Sequence, residues 1–375
     1  MSTVQKVIRG RDSLRKTPVL MEKLGMKKPL LIGSAKLAPK LLRLAELKEL
    51  PVFSGYHPNP DLMDAEEGVR AFQQKGCDSL ISLGGGSAID TAKAVKAWLC
   101  AGSADNIRKS ALEENEIPHI AIPGTAGSGA EATANGVLYE NGQKLSIVHP
   151  ILRPEGVILD PALLDSLPEY HKKSCALDAL SQGIESYWAK AATEDSRVNA
   201  YLAILGVLDN LRPYLAGDPH AAAEMMDAAY ESGKAIYQTR TTAPHAMSYQ
   251  LTKLLGIAHG HACMLTLPIL WDRMCANQEM DPLMQELGSR MRLGDPRMGS
   301  RLLRGLLIDL GMEAPAMPSE EMLEQLTKSV NTERLSNHPM SLTEKDIAWI
   351  YRQAFRPITD PERQACLDIW KYYGS

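Results

Sequence analysis

Over roughly its first 160 residues the chain alternates short apolar runs with amphipathic stretches. The runs are PLLIGSA at 29–35, PVFSGY at 51–56, DSLISLGGG at 78–86, HIAIPGTAG at 119–127 and EGVILDP at 155–161. Between them, LAPKLLRLAELKEL (37–50) and DAEEGVRAFQQKG (64–76) carry helical spacing. Strands alternating with helices predict a parallel sheet covered on both faces. From about residue 164 the texture changes to long helical patterns at 171–190, 195–211, 220–237 and 243–255, separated by breaker signals such as LRPYLAGDP at 211–219. The pattern predicts an α/β N-terminal domain with a parallel sheet over residues 1–163 and an all-α C-terminal domain over residues 164–375.

Composition changes this picture little. A chain of 375 residues exceeds what one core usually organises, which agrees with two domains. A net charge of −4 with both signs interspersed leaves no basic stripe for a nucleic-acid backbone, and aromatic residues make up only 5%. The N-terminus, MSTVQKVIRGRDSLRK, lacks the apolar stretch of a signal peptide, and no long uninterrupted apolar run follows. The expectation is a cytoplasmic protein without nucleic-acid or membrane partners. Cys77, Cys100, Cys175, Cys263, Cys275 and Cys366 are scattered with no CxxC pair, so they are read as reduced and mostly buried thiols.

Two glycine-rich turns are the first candidate chemistry. SLISLGGGSAIDTAKAVKAWL (79–99) is an apolar strand, three glycines and a helix; the glycines let a phosphate approach the backbone, and the helix start favours an anion. Ser87 reads as the N-cap, with Asp90 three residues on as in a capping box. A tight strand-to-helix turn with no ligand would use the same glycines, and neither G-x-G-x-x-G nor the P-loop pattern is matched. The second loop, IPGTAGSGAEAT (122–133), offers Gly124, Thr125, Gly127, Ser128 and Gly129 as donors without bulk. Two such loops at strand ends suggest a dinucleotide, with its phosphates on the first loop and a ribose near the second.

Histidines supply the second candidate. CALDALSQGIESYW (175–188) reads as a helix with Asp178 and Gln182 at i, i+4. Downstream, His245 and Tyr249 repeat that spacing, and AHGHA (258–262) places His259 and His261 beside a glycine. One carboxylate and two imidazoles from separate elements can hold a divalent metal with an open position, acting as a Lewis acid on a carbonyl or alkoxide oxygen. A solvated helical Asp and a surface His-Gly-His turn remain the plain alternative.

Taken together, the segments resemble the iron-containing (group III) alcohol dehydrogenase family, to which dehydroquinate synthase is a more distant relative. The likeness rests on YHPNPDLMD (56–64), GGGSAIDTAKA (84–94), IPGTAGSGAEAT, KLSIVHP (144–150), ILDPALLDSLP (158–168), DALSQGIESYW, and the pair His245 and His259. It implies the dehydroquinate synthase-like fold of that family: a dinucleotide-binding α/β domain, a helical domain, and a metal and nicotinamide in the cleft between. Carried over, Gly84, Gly85, Gly86 and Ser87 would hold the pyrophosphate, with Asn59, Thr125, Ser128 and Lys144 lining the cofactor pocket. Asp178, His245 and His259 would ligate the metal, Fe(II) first and zinc second. Homo-oligomers are common in the family.

Three features depart from the family pattern. Where many members carry a His four residues after the Asp, this chain has Gln182, whose amide oxygen could ligate or support the Asp. The HxxxH pattern reads His245-Ala-Met-Ser-Tyr249, so proton transfer would fall to Tyr249 or His261. After the first strand of the series, Gly33 and Ser34 stand where NAD-preferring members carry an Asp, which makes NADPH acceptable beside NADH. Arg240, five residues before His245, would suit an anionic substrate tail, and a surface role would explain it equally. The expected activity is NAD(P)H-dependent reduction of a small aldehyde to an alcohol, with the motif pair pointing to the branch that reduces phosphonoacetaldehyde to 2-hydroxyethylphosphonate. The alternatives are a general short-chain alcohol dehydrogenase, a dehydroquinate synthase-like lyase and a non-catalytic binding protein.

Overall fold

A computed structural model describes residues 4–109, 111–113, 116–140, 143–330 and 335–373. The chain divides into two compact units, Met1–Leu167 with Gly217–Gly233, and Pro168–Ala216 with Lys234–Ser375. The segment 217–233, which the sequence pattern placed with the helical half, packs with the first unit instead. Helical periodicity shows that a face is apolar, not which core receives it.

In the first unit, β1 (Lys6–Arg9), β2 (Pro29–Gly33), β3 (Val52–Phe53), β4 (Ser79–Gly84), β5 (His119–Pro123) and β8 (Gly156–Leu159) form one parallel sheet in the order β1-β8-β5-β4-β2-β3. Successive side chains point to opposite faces, and both faces are apolar. Leu31, Ile81, Leu83, Ile120, Ile122 and Ile158 share one core with Leu20 of α1 (Thr17–Lys23) and Leu41 of α2 (Ala38–Leu44). Leu30, Ile32 and Leu80 face the other way, onto Val69 and Phe72 of α3 (Leu62–Gln74) and Ala92 and Val95 of α4 (Gly86–Ala101). A short α5 (Ala104–Arg108) follows. Strand β1 and the antiparallel hairpin of β6 (Asn135–Glu140) and β7 (Gln143–Val148) had no counterpart in the sequence pattern, since their alternation is short and broken by polar residues.

The second unit is built from α6 (Glu169–Trp188), α7 (Glu194–Leu215), the end of α8 (Pro219–Thr239), α9 (Ala243–Leu255), α10 (His259–Ala276), α11 (Asp281–Arg290), α12 (Met298–Asp309), α13 (Glu320–Lys328) and two further helices, Glu344–Ala354 and Asp360–Tyr373. Helix α7 runs through Pro213 to Leu215, four residues past the expected helix end at 211 and still within the breaker segment 211–219. One core joins Met247 and Leu251 of α9, Ile269 and Leu270 of α10, Leu323 and Leu326 of α13, and Ile350 and Tyr351. No helix among the described residues is long and apolar enough to cross a membrane. All six cysteines are free thiols, three of them buried.

His338 is fully buried with its ring edge-on to Trp188, and neither ring nitrogen has a hydrogen-bond partner. Burial pushes its pKa down to about 4, so the folded protein refuses a proton that the unfolded chain accepts below its ordinary value. The stability this contributes is present above that ordinary value and is lost as pH falls toward the folded one. Urea unfolding at pH 7 and pH 4.5 should therefore show a loss larger in the parent than in His338→Leu, by up to about 3 kcal/mol. Equal losses in the two proteins would contradict this.

Candidate functional site

In the first unit the two glycine loops lie against each other. The Gly124 N–H donates to the Gly84 carbonyl at 2.7 Å, at the C-terminal ends of the neighbouring strands β4 and β5. Gly84 has φ of +151°, and a Cβ there would sit 3.0 Å from the Ala88 side chain. Thr125 packs over Gly85 and Ser128 over Gly86, so that a Cβ on either glycine would lie 3.3 Å from Thr125 Cγ2 or 3.1 Å from Ser128 Oγ, a tight contact with the second loop. Gly85, not Ser87, is the N-cap of α4, and no side chain caps this helix. The expected capping box is thus absent: the chain turns into the helix two residues earlier than the Ser87 pattern suggested. Ser87 accepts a hydrogen bond from the Asn59 backbone N–H at 3.2 Å, and Asn59 itself has φ of +57°. Asp90 accepts from the Val137 backbone; burial lifts its pKa to about 6, against the pull of Lys93 and Lys144. Lys144, on β7, is thereby placed beside α4. Ser34 ends the β2 turn, its Oγ accepting from the Lys36 N–H at 3.2 Å.

In the second unit, Asp178, His245, His259 and Cys263 bring four ligand atoms within 4.8 Å of one another. Helices α6, α9 and α10 each contribute, and their approach depends on Gly260: a Cβ there would lie 2.0 Å from the Ser174 carbonyl and 2.7 Å from the Asp178 Cβ. Each imidazole is oriented by its far nitrogen. His245 Nδ1 contacts Glu185 Oε1, a fully buried carboxylate that also accepts from Ser181 Oγ at 2.8 Å, the Thr242 N–H at 2.7 Å and Thr242 Oγ1 at 3.0 Å. That carboxylate lies at the start of α9, where helix polarity favours a negative charge. His259 Nδ1 faces Ser248 Oγ at 3.3 Å, and that hydroxyl donates to the His245 carbonyl at 2.9 Å, so it accepts from the imidazole.

Both Nε2 atoms are left for the centre of the cluster. His245 Nε2 and Asp178 Oδ1 stand 3.3 Å apart, both buried and neither with a hydrogen-bond partner. Orphaned buried polar atoms facing one another are costly unless something sits between them. Ligand bonds near 2.0–2.1 Å in a tetrahedral site leave two such atoms about 3.3 Å apart, so the residues fit a divalent metal. Burial opposes charge on all of these groups, yet mutual attraction holds Asp178 and Glu185 below the usual carboxylate range and His245 and His259 above the usual imidazole range. Burial likewise raises the Cys263 thiol, and the two imidazoles more than offset it, bringing it to about 7.

The remaining sequence candidates are placed as follows. Gln182 hydrogen-bonds to Asp178 from one turn further along α6. The Tyr249 ring stacks on His259 at 5.8 Å between centroids. His261, two residues after His259, projects from a different face of α10, where its Nδ1 meets the Tyr170 hydroxyl at 3.2 Å. Burial pushes its pKa below the ordinary value. It is not brought into the four-residue cluster. Arg240 is exposed, follows α8 directly and has φ of +62°.

Glu185, Ser248 and Cys263 were not singled out from the sequence. Helical spacing held the signal: Glu185 is seven residues after Asp178, Ser248 three after His245 and Cys263 four after His259, each on its ligand's face. Glu185→Gln should weaken zinc binding about 10- to 100-fold while leaving the fold intact, as zinc titration and thermal melting would show. Unchanged affinity would remove Glu185 from the site. Gly260→Ala should push α10 off α6, costing about 1–3 kcal/mol in urea unfolding and weakening metal binding together; a fully stable, metal-competent variant would mean that this contact is not what assembles the ligands.

Comparison with known proteins bears on both units. Residues 4–161 match the family described as iron-containing alcohol dehydrogenase, and residues 173–355 match its C-terminal region. A phosphonoacetaldehyde reductase of Streptomyces viridochromogenes is 35% identical over 56% of this chain and 57% of its own length, so the match spans little more than half of that relative. Long-chain-alcohol dehydrogenase 1 of Geobacillus thermodenitrificans is 30% identical over 83% of this chain and 84% of its own. Among solved structures, sulfoacetaldehyde reductase from Bifidobacterium kashiwanohense in complex with NAD+ superposes with a TM-score of 0.86 at 26% identity, covering 94% of this chain and 98% of that one. The chain belongs to the iron-containing alcohol dehydrogenase family.

Proposed function

We propose that this protein is a metal-dependent NAD(P)H oxidoreductase that reduces a small anionic aldehyde to its alcohol, with phosphonoacetaldehyde the substrate that its sequence favours. The observation that carries the reading is the buried, mutually oriented set of Asp178, His245 and His259, in which Asp178 Oδ1 and His245 Nε2 face one another at 3.3 Å without a well-formed hydrogen bond to either. The paired glycine loops support the cofactor half of it. Relatives described as phosphonoacetaldehyde reductase and sulfoacetaldehyde reductase support an anionic aldehyde, and one described as lactaldehyde reductase supports only a small aldehyde.

A divalent metal held by Asp178, His245 and His259 would supply Lewis acidity toward a carbonyl oxygen. The chain's own residues do the rest. Glu185 and Ser248 set the imidazole tautomers and Gln182 holds the Asp178 carboxylate, which keeps the ligand atoms convergent without reorganisation. Gly85 and Gly86 admit a pyrophosphate to the uncapped start of α4, where free backbone N–H groups and helix polarity favour an anion. Asn59, Ser87, Thr125, Ser128 and Lys144 border that turn as further contacts. Ser34 supplies no carboxylate to repel a ribose 2′-phosphate, which favours NADPH. The stacking of the Tyr249 ring on His259 supports Tyr249 as the group that would pass a proton, and the hydrogen-bonded His261 and Tyr170 are the alternative for the same task. Arg240, exposed and five residues before His245, would meet the anionic tail.

The test is anaerobic oxidation of NADPH and of NADH by metal-reconstituted protein against phosphonoacetaldehyde, succinic semialdehyde and butanal. Faster turnover with the anionic aldehydes, and a KM for them raised at least about tenfold in Arg240→Ala with butanal unaffected, is the expected result. Equal or better rates with butanal would leave a general alcohol dehydrogenase. Absence of net NAD(P)H turnover with every aldehyde would sink the oxidoreductase reading and favour a lyase or a binding protein.

A further inference from the structure

The metal reading leaves one group of the cluster unexplained. Cys263 is fully buried on α10, one helical turn after His259, and its Sγ stands 3.8 Å from His259 Nε2, the nitrogen that Ser248 leaves free. The His245 ring, fixed by Glu185, turns its own Nε2 into the same space. Resting on the proposed metal site, we propose that Cys263 is a thiolate ligand of that metal, completing a carboxylate, two-imidazole and thiolate set with Asp178, His245 and His259, and that this set selects zinc over iron(II).

Three observations carry the assignment. First, a metal bound to nitrogen near 2.0–2.1 Å and to thiolate near 2.3 Å in tetrahedral geometry separates the two donors by about 3.6 Å, close to the Sγ to Nε2 distance found. Second, Asp178 Oδ1 and His245 Nε2 are buried, make no well-formed hydrogen bond, and lie 3.3 Å from each other in the same group of four ligand atoms. Third, the residue that the family pattern would place in the fourth position, Gln182, engages the Asp178 side chain instead. A neutral amide oxygen is a weak ligand beside a thiolate, and a soft sulfur donor with imidazole nitrogens favours zinc. The remaining five cysteines are not part of the cluster.

The experiment uses the full chain loaded with cobalt(II) or zinc. The near-ultraviolet thiolate-to-cobalt charge-transfer band should be present in the parent and in Gln182→Ala, absent in Cys263→Ser, and kept in the control Cys100→Ser. Zinc X-ray absorption of the parent should show one sulfur scatterer at about 2.3 Å, a measurement that needs no variant to fold. Competition with a chromophoric chelator should show zinc held at least about tenfold less tightly by Cys263→Ser, with a smaller change for iron(II). Stoichiometric metal binding that is lost in Asp178→Ala but shows no sulfur scatterer would overturn the thiolate assignment and leave the metal site standing. No metal bound by the parent above the level of Asp178→Ala would overturn both.

Discussion

The second unit depends on one close approach, that of the start of α10 onto α6 at Gly260. With no side chain between His259 and His261, the α10 backbone comes near enough to the Ser174 carbonyl that a single Cβ would not fit. From that contact the rest of the cluster follows. His259 and Cys263 lie on one face of α10 and are thereby carried to Asp178, while His261 is turned to Tyr170. A glycine flanked by histidines thus divides two imidazoles of similar sequence context between different surroundings.

Hydrogen bonds hold the cluster's imidazoles from outside it. Glu185 accepts hydrogen bonds from α6, from Thr242 and from His245, so one buried carboxylate ties the ligand helix α6 to the start of α9. Trp188 donates its indole N–H to Thr242 Oγ1 at 3.0 Å, which holds the hydroxyl that serves Glu185. Burying this charge without such donors would be prohibitive; with them, it fixes which nitrogen of His245 points inward. Ser248 performs the same service for His259 with a neutral hydroxyl.

The first unit applies a different constraint. Its sheet places β4 and β5 side by side, and each strand ends in a glycine turn, so the two loops meet backbone to backbone at Gly84 and Gly124. Helix α4 begins on a glycine and carries no side-chain cap, leaving its polar end to the surroundings. Polar groups there come from the main chain, whereas those of the Asp178, His245, His259 and Cys263 cluster are all side chains.

Much of this was legible in the sequence, because it is local. Alternating apolar runs determined the parallel sheet, long helical patterns determined the second unit, and the glycine turns marked the ends of β4 and β5. Spacing brought Asp178, Gln182, His245, Tyr249, His259 and His261 forward as candidates, and the family resemblance singled out Asp178, His245 and His259 among them as metal ligands. What tertiary structure decided is which core receives a helix and which faces meet. Residues 217–233 joined the first unit, Gly85 displaced Ser87 as the cap, and Glu185, Ser248 and Cys263 joined the cluster from positions one or two helical turns away from its recognised members. Periodicity reports that such residues share a face with a ligand; only packing of α6, α9 and α10 determines that those faces are turned toward one another.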